Sequence, residues 1–233
     1  MPRQFTAAAN RWEDHYARRA RRERYPARSV YKLEEIQKRF SLLHPGESVL
    51  DLGCAPGSWL LFAAKAVGER GMVVGVDLNP VTVTLPPQAR ALVADVLAVA
   101  AADPAAFFGR RFDAVLSDMA PSTTGSPGVD AARSERLCEA ALAIARAVLR
   151  PGGCFVCKIF QGDGFAAFTQ AVRASFSAFR IYKPQSSRKA SREIYLIGKG
   201  KREEDPCPAT TNGQASNTRR APTTPGAEKS SPS

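Results

Sequence analysis

The chain has 233 residues, of which 44% are hydrophobic, and its formal net charge at pH 7 is +11. A chain of this size holds one sizeable apolar core, and two full domains are not expected. The excess of Lys and Arg favours a polyanionic partner, most often a nucleic acid, although the same charge also promotes solubility. Neither an apolar signal segment nor an apolar run of transmembrane length is present, which predicts a soluble, cytoplasmic protein without a membrane partner.

The five cysteines predict a reducing environment, because an odd number at irregular spacing is not the pattern of a disulfide framework. Cys154 and Cys157 form a C-x-x-C pattern inside an apolar, strand-like run, where an offset of three directs the two side chains to opposite faces. This placement favours burial in the core. No metal site is predicted, since there is no second cysteine pair and both His15 and His44 stand alone.

Arginine is concentrated near the N-terminus, in the stretch YARRARRERYPARS at 16–29. Such a stretch forms a solvated helix or a mobile arm, and its charge favours contact with an RNA backbone. We therefore predict a basic N-terminal arm over residues 1–28. Apolar residues then recur every three to four positions, at Val30, Leu33, Ile36 and Phe40. This spacing predicts an amphipathic helix over 30–40, with Lys32 in its first turns.

From residue 48 onward, strand patterns alternate with helix patterns. Helices are predicted at 58–67, 130–149 and 164–176, and strands at 48–52, 72–78, 90–94, 112–117, 154–160, 179–182 and 194–198. Such alternation predicts an α/β fold with a mainly parallel sheet covered by helices on both faces. The catalytic-size domain spans 29–200. The polar stretch 201–233 lacks apolar periodicity and is predicted to be a disordered tail.

The sequence VLDLGCAPGSW ends the first predicted strand and opens the next helix. In open α/β sheets, ligands bind outside the carboxyl ends of the strands, and Gly53 and Gly57 would let a ligand approach this turn closely. The turn lacks the middle glycine of the dinucleotide-binding pattern G-x-G-x-x-G, and no Lys follows it as in a P-loop. A phosphate-binding turn is therefore not expected.

Carboxylates stand at successive strand ends instead, at Asp51, Asp77, Asp95 and Asp118. An acid at the end of the second strand accepts both hydroxyls of a ribose, and Asp95 is placed to accept the amino group of an adenine. A ligand with an adenosine, no phosphates and a cationic group is S-adenosylmethionine. Each aspartate alone is equally well explained as a loop-capping residue, but four at successive strand ends favour this cofactor.

Six motifs follow in order between about Arg28 and Gly200: ARSVYKLEEIQ, PGESVLDLGCAPGSW, GVDLNP, LSDMAPSTTGSPGVD, LRPGGCFVCKIFQGDGF and KPQSSRKASREIYLIGKG. Together they resemble the FtsJ/RrmJ (RlmE) family of S-adenosylmethionine-dependent ribose 2′-O-methyltransferases, which implies a Rossmann-like class I fold with a seven-stranded sheet. The resemblance implies a catalytic tetrad of Lys32, Asp118, Lys158 and Glu193. It also implies cofactor contacts at Gly57, Trp59, Asp77, Asp95 and Asp118, with Gly53 and Pro56 in the same turn. One departure is Ser58, where the family often has a second glycine.

In that family the lysine at the position of Lys158 is taken as the catalytic one. Lys158 also stands out by itself, because a charged residue inside the apolar run CFVCKIF needs a reason to be there. Burial beside Lys32 and a sulfonium would favour a neutral amine, which would remove the proton of the 2′-hydroxyl. A charged Lys158 would instead stabilise the developing alkoxide. The sequence leaves both roles open and assigns Asp118 and Glu193 mainly to orientation.

The basic stretch KPQSSRKASR at 183–192 precedes Glu193 and is predicted to contact RNA phosphates together with the N-terminal arm. A flexible solvated loop is the alternative. The resemblance implies as substrate a uridine of 23S ribosomal RNA, in the peptidyl transferase region of an assembled or nearly assembled 50S subunit. Two alternatives are the same chemistry on transfer RNA or another ribosomal site, and a non-catalytic RNA-binding assembly factor, which the complete tetrad disfavours. A monomer is the simplest expectation.

Overall fold

The computed structural model describes residues 7–121, 124–188 and 191–203, which form seven helices and seven strands. The helices are α1 (Ala7–Arg22), α2 (Val30–Phe40), α3 (Ser58–Val67), α4 (Val96–Ala101), α5 (Pro104–Phe108), α6 (Pro127–Val148) and α7 (Phe165–Ser175). The strands are β1 (Ser48–Leu52), β2 (Met72–Asp77), β3 (Ala89–Val93), β4 (Phe112–Ser117), β5 (Leu149–Phe160), β6 (Phe176–Tyr182) and β7 (Glu193–Lys201).

The predicted α/β fold with a mainly parallel seven-stranded sheet is confirmed. The bounds of α2, α3, β1 and β4 agree with the sequence patterns. The short helices α4 and α5 are not predicted, because five or six residues do not show a helical period. Each begins at an aspartate, Asp95 or Asp103, whose side chain accepts a hydrogen bond from a backbone N–H of the first turn.

The junction of α6 and β5 differs from the prediction. Helix α6 ends at Val148, and β5 begins at once at Leu149 instead of at residue 154. Leu149 pairs with Phe112, and the register then shifts so that Cys154 pairs with Ala114. The Pro-Gly-Gly segment therefore forms an irregularity within one long strand, where the sequence pattern predicts a separate turn.

The sheet has the strand order β3-β2-β1-β4-β5-β7-β6. Neighbouring strands from β3 to β5 are parallel, and β7 runs antiparallel to both β5 and β6. The chain builds outward from β1 through β2 and β3 on one side and through β4 and β5 on the other. Ligands of α/β sheets bind at the carboxyl ends of the strands beside such a reversal, which points to the ends of β1 and β4.

Two apolar clusters cover the two faces of the sheet. One contains Cys157 and residues of α6 and α7, and the other contains Cys154 and residues of α2 and α3. The two cysteines thus lie on opposite faces, as their spacing predicts, and both are buried. The face covered by α2 and α3 also carries the side chains of the candidate site.

Helix α1 carries much of the N-terminal arginine run and packs against α2. Ala20 is buried, and the ring of Tyr16 lies 5.3 Å from that of Tyr31. The Arg19 guanidinium lies 4.1 Å from the Tyr31 ring and 3.1 Å from Glu34 of α2. The described part of the predicted arm is thus a helix held on α2, while its contact with RNA stays a prediction. Of the predicted tail 201–233, Lys201 instead ends β7, where it pairs with Phe176, and the residues beyond Glu203 lie outside the described part of the chain.

Within the described ranges, no helix combines the length and the apolar character that crossing a bilayer requires. The same residues contain no group of three or more His, Cys, Asp or Glu side chains arranged to hold a metal ion. The cysteines among them are buried free thiols, at positions Cys54, Cys138, Cys154 and Cys157.

Replacing Gly75 with Ala should destabilise the fold, because the added Cβ would lie 2.6 Å from the Sγ atom of Cys54 and 3.0 Å from Leu60 Cδ1. We expect the free energy of unfolding to fall by about 1–3 kcal/mol, the usual cost of overpacking, in urea denaturation. Gly128→Ala is the matched control, since nothing lies within 4 Å of its added Cβ, and its stability should be unchanged or slightly raised. A Gly75→Ala protein as stable as the parent would contradict this packing.

Candidate active site

The turn between β1 and α3 is built on two glycines in the left-handed region, Gly53 with φ 79° and Gly57 with φ 113°. A Cβ on Gly53 would lie 2.5 Å from Cγ of Met119, and one on Gly57 would lie 2.9 Å from Cγ2 of Val83. Both positions therefore require glycine for backbone conformation and for space. Between them, Pro56 is exposed and follows a cis peptide bond.

Two of the predicted cofactor carboxylates are oriented by backbone amides. Asp77 ends β2, where its Oδ2 accepts a hydrogen bond from the Ala55 N–H at 3.0 Å and its Oδ1 accepts one from the Asn79 N–H at 2.8 Å. Asp95 caps α4, with Oδ1 accepting from the Leu97 N–H at 2.8 Å. The capping role that the sequence leaves open is therefore present at Asp95. A carboxylate has about four acceptor positions, so neither contact exhausts the capacity of these groups to bind a ligand.

Asp51 is a fully buried carboxyl in β1, and neither of its oxygens has a hydrogen-bond partner among the described residues. Burial, and after it the carboxylates of Asp118 and Asp77, raise the pKa of Asp51 well above the usual value. Burying such a group without a partner costs free energy. A cation or a hydrogen-bond donor bound beside these three aspartates would offset that cost.

Lys158 is the buried amine of the site, with 6% of its surface exposed. Its Nζ donates to the backbone oxygen of Asp118 at 2.6 Å and lies 3.1 Å from Asp118 Oδ1. The hydroxyl of Tyr195 donates to the same Oδ1 at 2.7 Å. Burial and the carboxylates of Asp118 and Glu193 raise the pKa of Tyr195 well above its usual value, so the phenol stays a hydrogen-bond donor. Asp118 therefore fixes the direction in which the Lys158 amine points.

The other two members of the predicted tetrad form a second ion pair. Lys32 comes from α2 and Glu193 from the start of β7, and Nζ lies 2.6 Å from Glu193 Oε1. Their side chains are 13% and 11% exposed, so the pair is shielded from most of the solvent. Such shielding makes an ion pair more sensitive to the loss of one partner than a surface pair is.

Strand pairing brings the two ion pairs to one face of the sheet. Lys158 lies opposite Tyr195, and Phe160 lies opposite Glu193, in the antiparallel pairing of β5 with β7. Side chains two residues apart on a strand share a face, so Lys158 and Glu193 are diagonal neighbours, a relation that separates residues by about 7–8 Å. The four predicted catalytic residues thus form two adjacent ion pairs.

The first residues of α3 fasten the candidate cofactor turn to the segment before α2. Trp59 is 3% exposed, its ring stacks on Tyr195 at 5.9 Å, and its Nε1 donates to the Ser29 oxygen at 2.9 Å. The Trp59 ring is therefore held by packing and by a tertiary hydrogen bond. Ser58 Oγ accepts from the Ala27 N–H at 2.8 Å and donates to the Ala27 oxygen at 3.1 Å. The departure from the family at Ser58 thus gives two tertiary hydrogen bonds.

A cavity of about 310 Å³ opens beside the second ion pair. Its walls are formed by Arg28, Ser29, Lys32, Arg188, Ser191 and Glu193. Three of these side chains are cationic and one is anionic, and Arg188 belongs to the basic stretch that is predicted to contact RNA. The charge of the cavity suits a phosphate-bearing strand.

Two residues that organise the site are not predicted from the sequence. Tyr195 could have been found by its position, since it follows Glu193 by two on the same face of a strand and a buried tyrosine hydroxyl needs a partner. Glu35 has no such signal. Its carboxylate accepts hydrogen bonds from two backbone amides of the basic stretch, which lies about 150 positions further along the chain.

Residues 25–201 match the family model described as FtsJ-like methyltransferase. A protein of Desulforapulum autotrophicum named ribosomal RNA large subunit methyltransferase E is 55% identical over 83% of this chain and 95% of its own. One of the same name from Bdellovibrio bacteriovorus is 47% identical over 81% and 97%. Among solved structures, a candidate ribosomal RNA methyltransferase of Plasmodium falciparum is similar in fold, with TM-score 0.64 and 23% identity over 76% of this chain and 98% of that one.

Ser58→Ala should lower the free energy of unfolding by about 1–3 kcal/mol, because both Ala27 backbone groups lose their partner. Urea denaturation would measure the change. Ser126→Ala is the control, since Ser126 caps α6 without a side-chain hydrogen bond, and its effect should be small. Equal stabilities of the two variants would contradict a stabilising role of the two hydrogen bonds between Ser58 and Ala27.

Asp51→Asn should raise the melting temperature at pH 7.5, because the folded parent must hold a carboxyl whose pKa is raised by burial. The folded state binds the proton of this carboxyl more tightly than the unfolded state, whose pKa is about 3.9. The stability of the parent therefore falls as pH rises above that value. The gain should therefore shrink as pH falls towards 4, measured by thermal unfolding at several pH values.

Asp113→Asn is the control for this test, since Asp113 accepts hydrogen bonds from Arg150 and from the Ser48 N–H. Its melting temperature at pH 7.5 should fall. A stability gain of Asp51→Asn that is independent of pH would show that the charge of Asp51 is not its cause.

Proposed function

Because the chain belongs to the FtsJ-like methyltransferase family, we propose that it transfers a methyl group from S-adenosylmethionine to the ribose 2′-hydroxyl of a uridine in 23S ribosomal RNA. The observation that carries this proposal is the buried amine of Lys158, held by Asp118 beside the Lys32–Glu193 pair. Relatives about half identical to the chain are named ribosomal RNA large subunit methyltransferase E, which supports the substrate class.

The residues at the ends of β1 to β4 fit S-adenosylmethionine. Gly53, Pro56 and Gly57 form a turn whose backbone a ligand can approach, and α3 begins there with backbone N–H groups that helix geometry leaves without partners. Asp77 would hold the ribose hydroxyls, Asp95 the adenine amino group, and the orphaned carboxyl of Asp51 suits a cationic ligand. When bound, S-adenosylmethionine supplies an electrophilic methyl group on a sulfonium.

We infer the position of the reacting oxygen from the contacts of Lys158. Nζ donates a hydrogen bond to the backbone oxygen of Asp118 and lies 3.1 Å from its Oδ1, so at least one of its three tetrahedral positions is not directed to Asp118. A neutral amine offers its lone pair there and takes the 2′-hydroxyl proton as the oxygen–carbon bond forms and the carbon–sulfur bond breaks. A charged ammonium offers a third N–H there and stabilises the developing alkoxide. Both roles place the ribose 2′-oxygen at the same position.

The remaining residues orient the two substrates. Asp118 fixes Lys158 and, together with Gly57, Trp59, Asp77 and Asp95, completes the cofactor-binding set. Glu193 fixes Lys32 at the wall of the cavity, where a cation lies next to the incoming ribose and its phosphates. In-line methyl transfer requires such positioning more than any other contribution.

The substrate is proposed to be the RNA of the 50S subunit, in the cytoplasm, with the protein acting as a monomer. The net charge of +11 and the arginines at the cavity support binding to phosphates. The proposed organisation is a basic arm at 1–28, the methyltransferase domain at 29–200 and a polar tail at 201–233.

Transfer of labelled methyl from S-adenosylmethionine to 50S subunits, naked ribosomal RNA and transfer RNA tests this function, with each RNA taken from cells that lack the modification. We expect label at a ribose 2′-oxygen of a uridine in the 50S subunit. Label on transfer RNA alone would replace the substrate while keeping the chemistry. A protein that binds the cofactor and labels nothing would favour a non-catalytic assembly factor.

Lys158→Ala should reduce kcat by about 10²–10⁴-fold, the usual contribution of a positioned proton-transfer group, and leave the affinity for S-adenosylhomocysteine unchanged. Asp77→Ala, by contrast, should weaken the affinity for S-adenosylhomocysteine, measured by calorimetry.

The control for Lys158→Ala is Lys38→Ala, because the Lys38 side chain is 71% exposed and pairs with Glu34 at the surface. A Lys158→Ala protein that methylates as fast as Lys38→Ala would contradict the catalytic role.

A further inference from the structure

The basic stretch 183–192 is attached to α2 through Glu35. Glu35 Oε2 accepts a hydrogen bond from the Gln185 N–H at 2.6 Å, and Oε1 accepts one from the Ser186 N–H at 2.9 Å. The hydroxyl of Tyr182 lies 3.5 Å from Oε2. Hydrogen bonds to a carboxylate are about twice as strong as those between neutral groups, so this attachment fixes the backbone at 185–186.

Other contacts close the same stretch into a defined loop. The Arg28 guanidinium donates to the Ser186 oxygen at 3.1 Å, in the peptide group that follows the one whose N–H Glu35 binds. Lys183 Nζ donates to the Ser191 oxygen at 2.8 Å and so joins the two ends of the loop. Ser186 and Ser187 are buried. The described residues of this loop, 183–188 and 191–192, therefore form a folded part of the site.

Helix α2 holds this loop at both of its ends. Lys32 and Glu35 are three residues apart, a spacing that places both on one side of a helix. Glu35 binds the beginning of the loop, and Lys32 pairs with Glu193 directly after it. Arg188 and Ser191 lie between these two contacts along the chain. They line the 310 Å³ cavity together with Arg28, which precedes α2, and Lys32, which lies in α2.

We propose that Glu35 is a positioning residue for the RNA substrate. It holds the 183–192 loop so that Arg188 and Ser191 face Arg28 and Lys32 across the cavity that receives the RNA strand. This inference rests on the proposed function and adds to it a residue that touches neither the cofactor nor the reacting atoms. The neighbouring Glu34 has a different task, since its carboxylate pairs with Arg19 of α1 and with Lys38.

The test compares Glu35→Ala and Glu35→Gln with Glu34→Gln, a matched control on the same helix. Glu35→Ala should raise the KM for 50S subunits by about tenfold or more, equivalent to about 1.4 kcal/mol, with a smaller change in kcat. Glu35→Gln should lie between parent and Ala, because its amide keeps one acceptor oxygen. The Kd for S-adenosylhomocysteine should be the same in all four proteins, and Glu34→Gln should keep the KM of the parent.

A second readout needs no RNA. In Glu35→Ala, hydrogen exchange of the Gln185 and Ser186 amides, followed by NMR, should be faster by about tenfold or more, since each loses its acceptor. The same amides should exchange as in the parent in Glu34→Gln. This measurement separates a local effect on the loop from a general loss of stability.

Unchanged exchange at these amides in Glu35→Ala would overturn the inference, and so would faster exchange with an unchanged KM. A parallel loss of affinity for S-adenosylhomocysteine would also overturn it, because the effect would then extend beyond the RNA side of the site. If the parent labels no RNA, the proposed function fails and the RNA role of Glu35 fails with it. In that case, faster amide exchange in Glu35→Ala would show that Glu35 does hold the loop. The proposed RNA substrate would then be wrong, and the hydrogen bonds of Glu35 would not.

Discussion

The Asp118 carboxylate joins three strands at the point where the reaction is proposed to occur. It follows β4, forms an ion pair with Lys158 of β5 and accepts a hydrogen bond from the hydroxyl of Tyr195 of β7. A buried ammonium without such a partner would cost several kcal/mol, so Lys158 depends on the strand order that places β4, β5 and β7 side by side. The rest of the proposed site is formed by the candidate cofactor turn between β1 and α3 and by the cavity beside Lys32 and Glu193 that is proposed to receive RNA.

Helix α2 links these two sides. Its preceding segment is bound by Ser58 and Trp59 of the cofactor turn, and its own side chains reach Glu193 and the basic loop. A displacement of this helix would therefore move Lys32 and the loop together. In-line displacement needs both reactants within a few tenths of an ångström of the productive geometry. A helix that contacts both binding surfaces fixes their position relative to each other.

Much of this could be predicted from the sequence, because it depends on local patterns. Alternating strands and helices indicate the sheet, aspartates at strand ends indicate a cofactor edge, and the motif resemblance names the tetrad. The contacts of Glu35 could not be predicted, since a glutamate on an amphipathic helix is ordinarily solvated and its partners are backbone amides far along the chain. The burial of Asp51 without a hydrogen-bond partner among the described residues and the irregular start of β5 also arise only when the strands pair. Which polar groups find partners is decided by tertiary packing.

The central claim is that Lys158 receives the ribose 2′-oxygen at a position of Nζ that is not directed to Asp118. A crystal structure with S-adenosylhomocysteine and a short RNA containing the target uridine would measure the distance between that oxygen and Lys158 Nζ. We predict a hydrogen-bond distance, about 2.6–3.2 Å, with the contacts to Asp118 retained. A bound RNA whose 2′-oxygen lies well beyond that reach, with another group next to Nζ, would contradict the account.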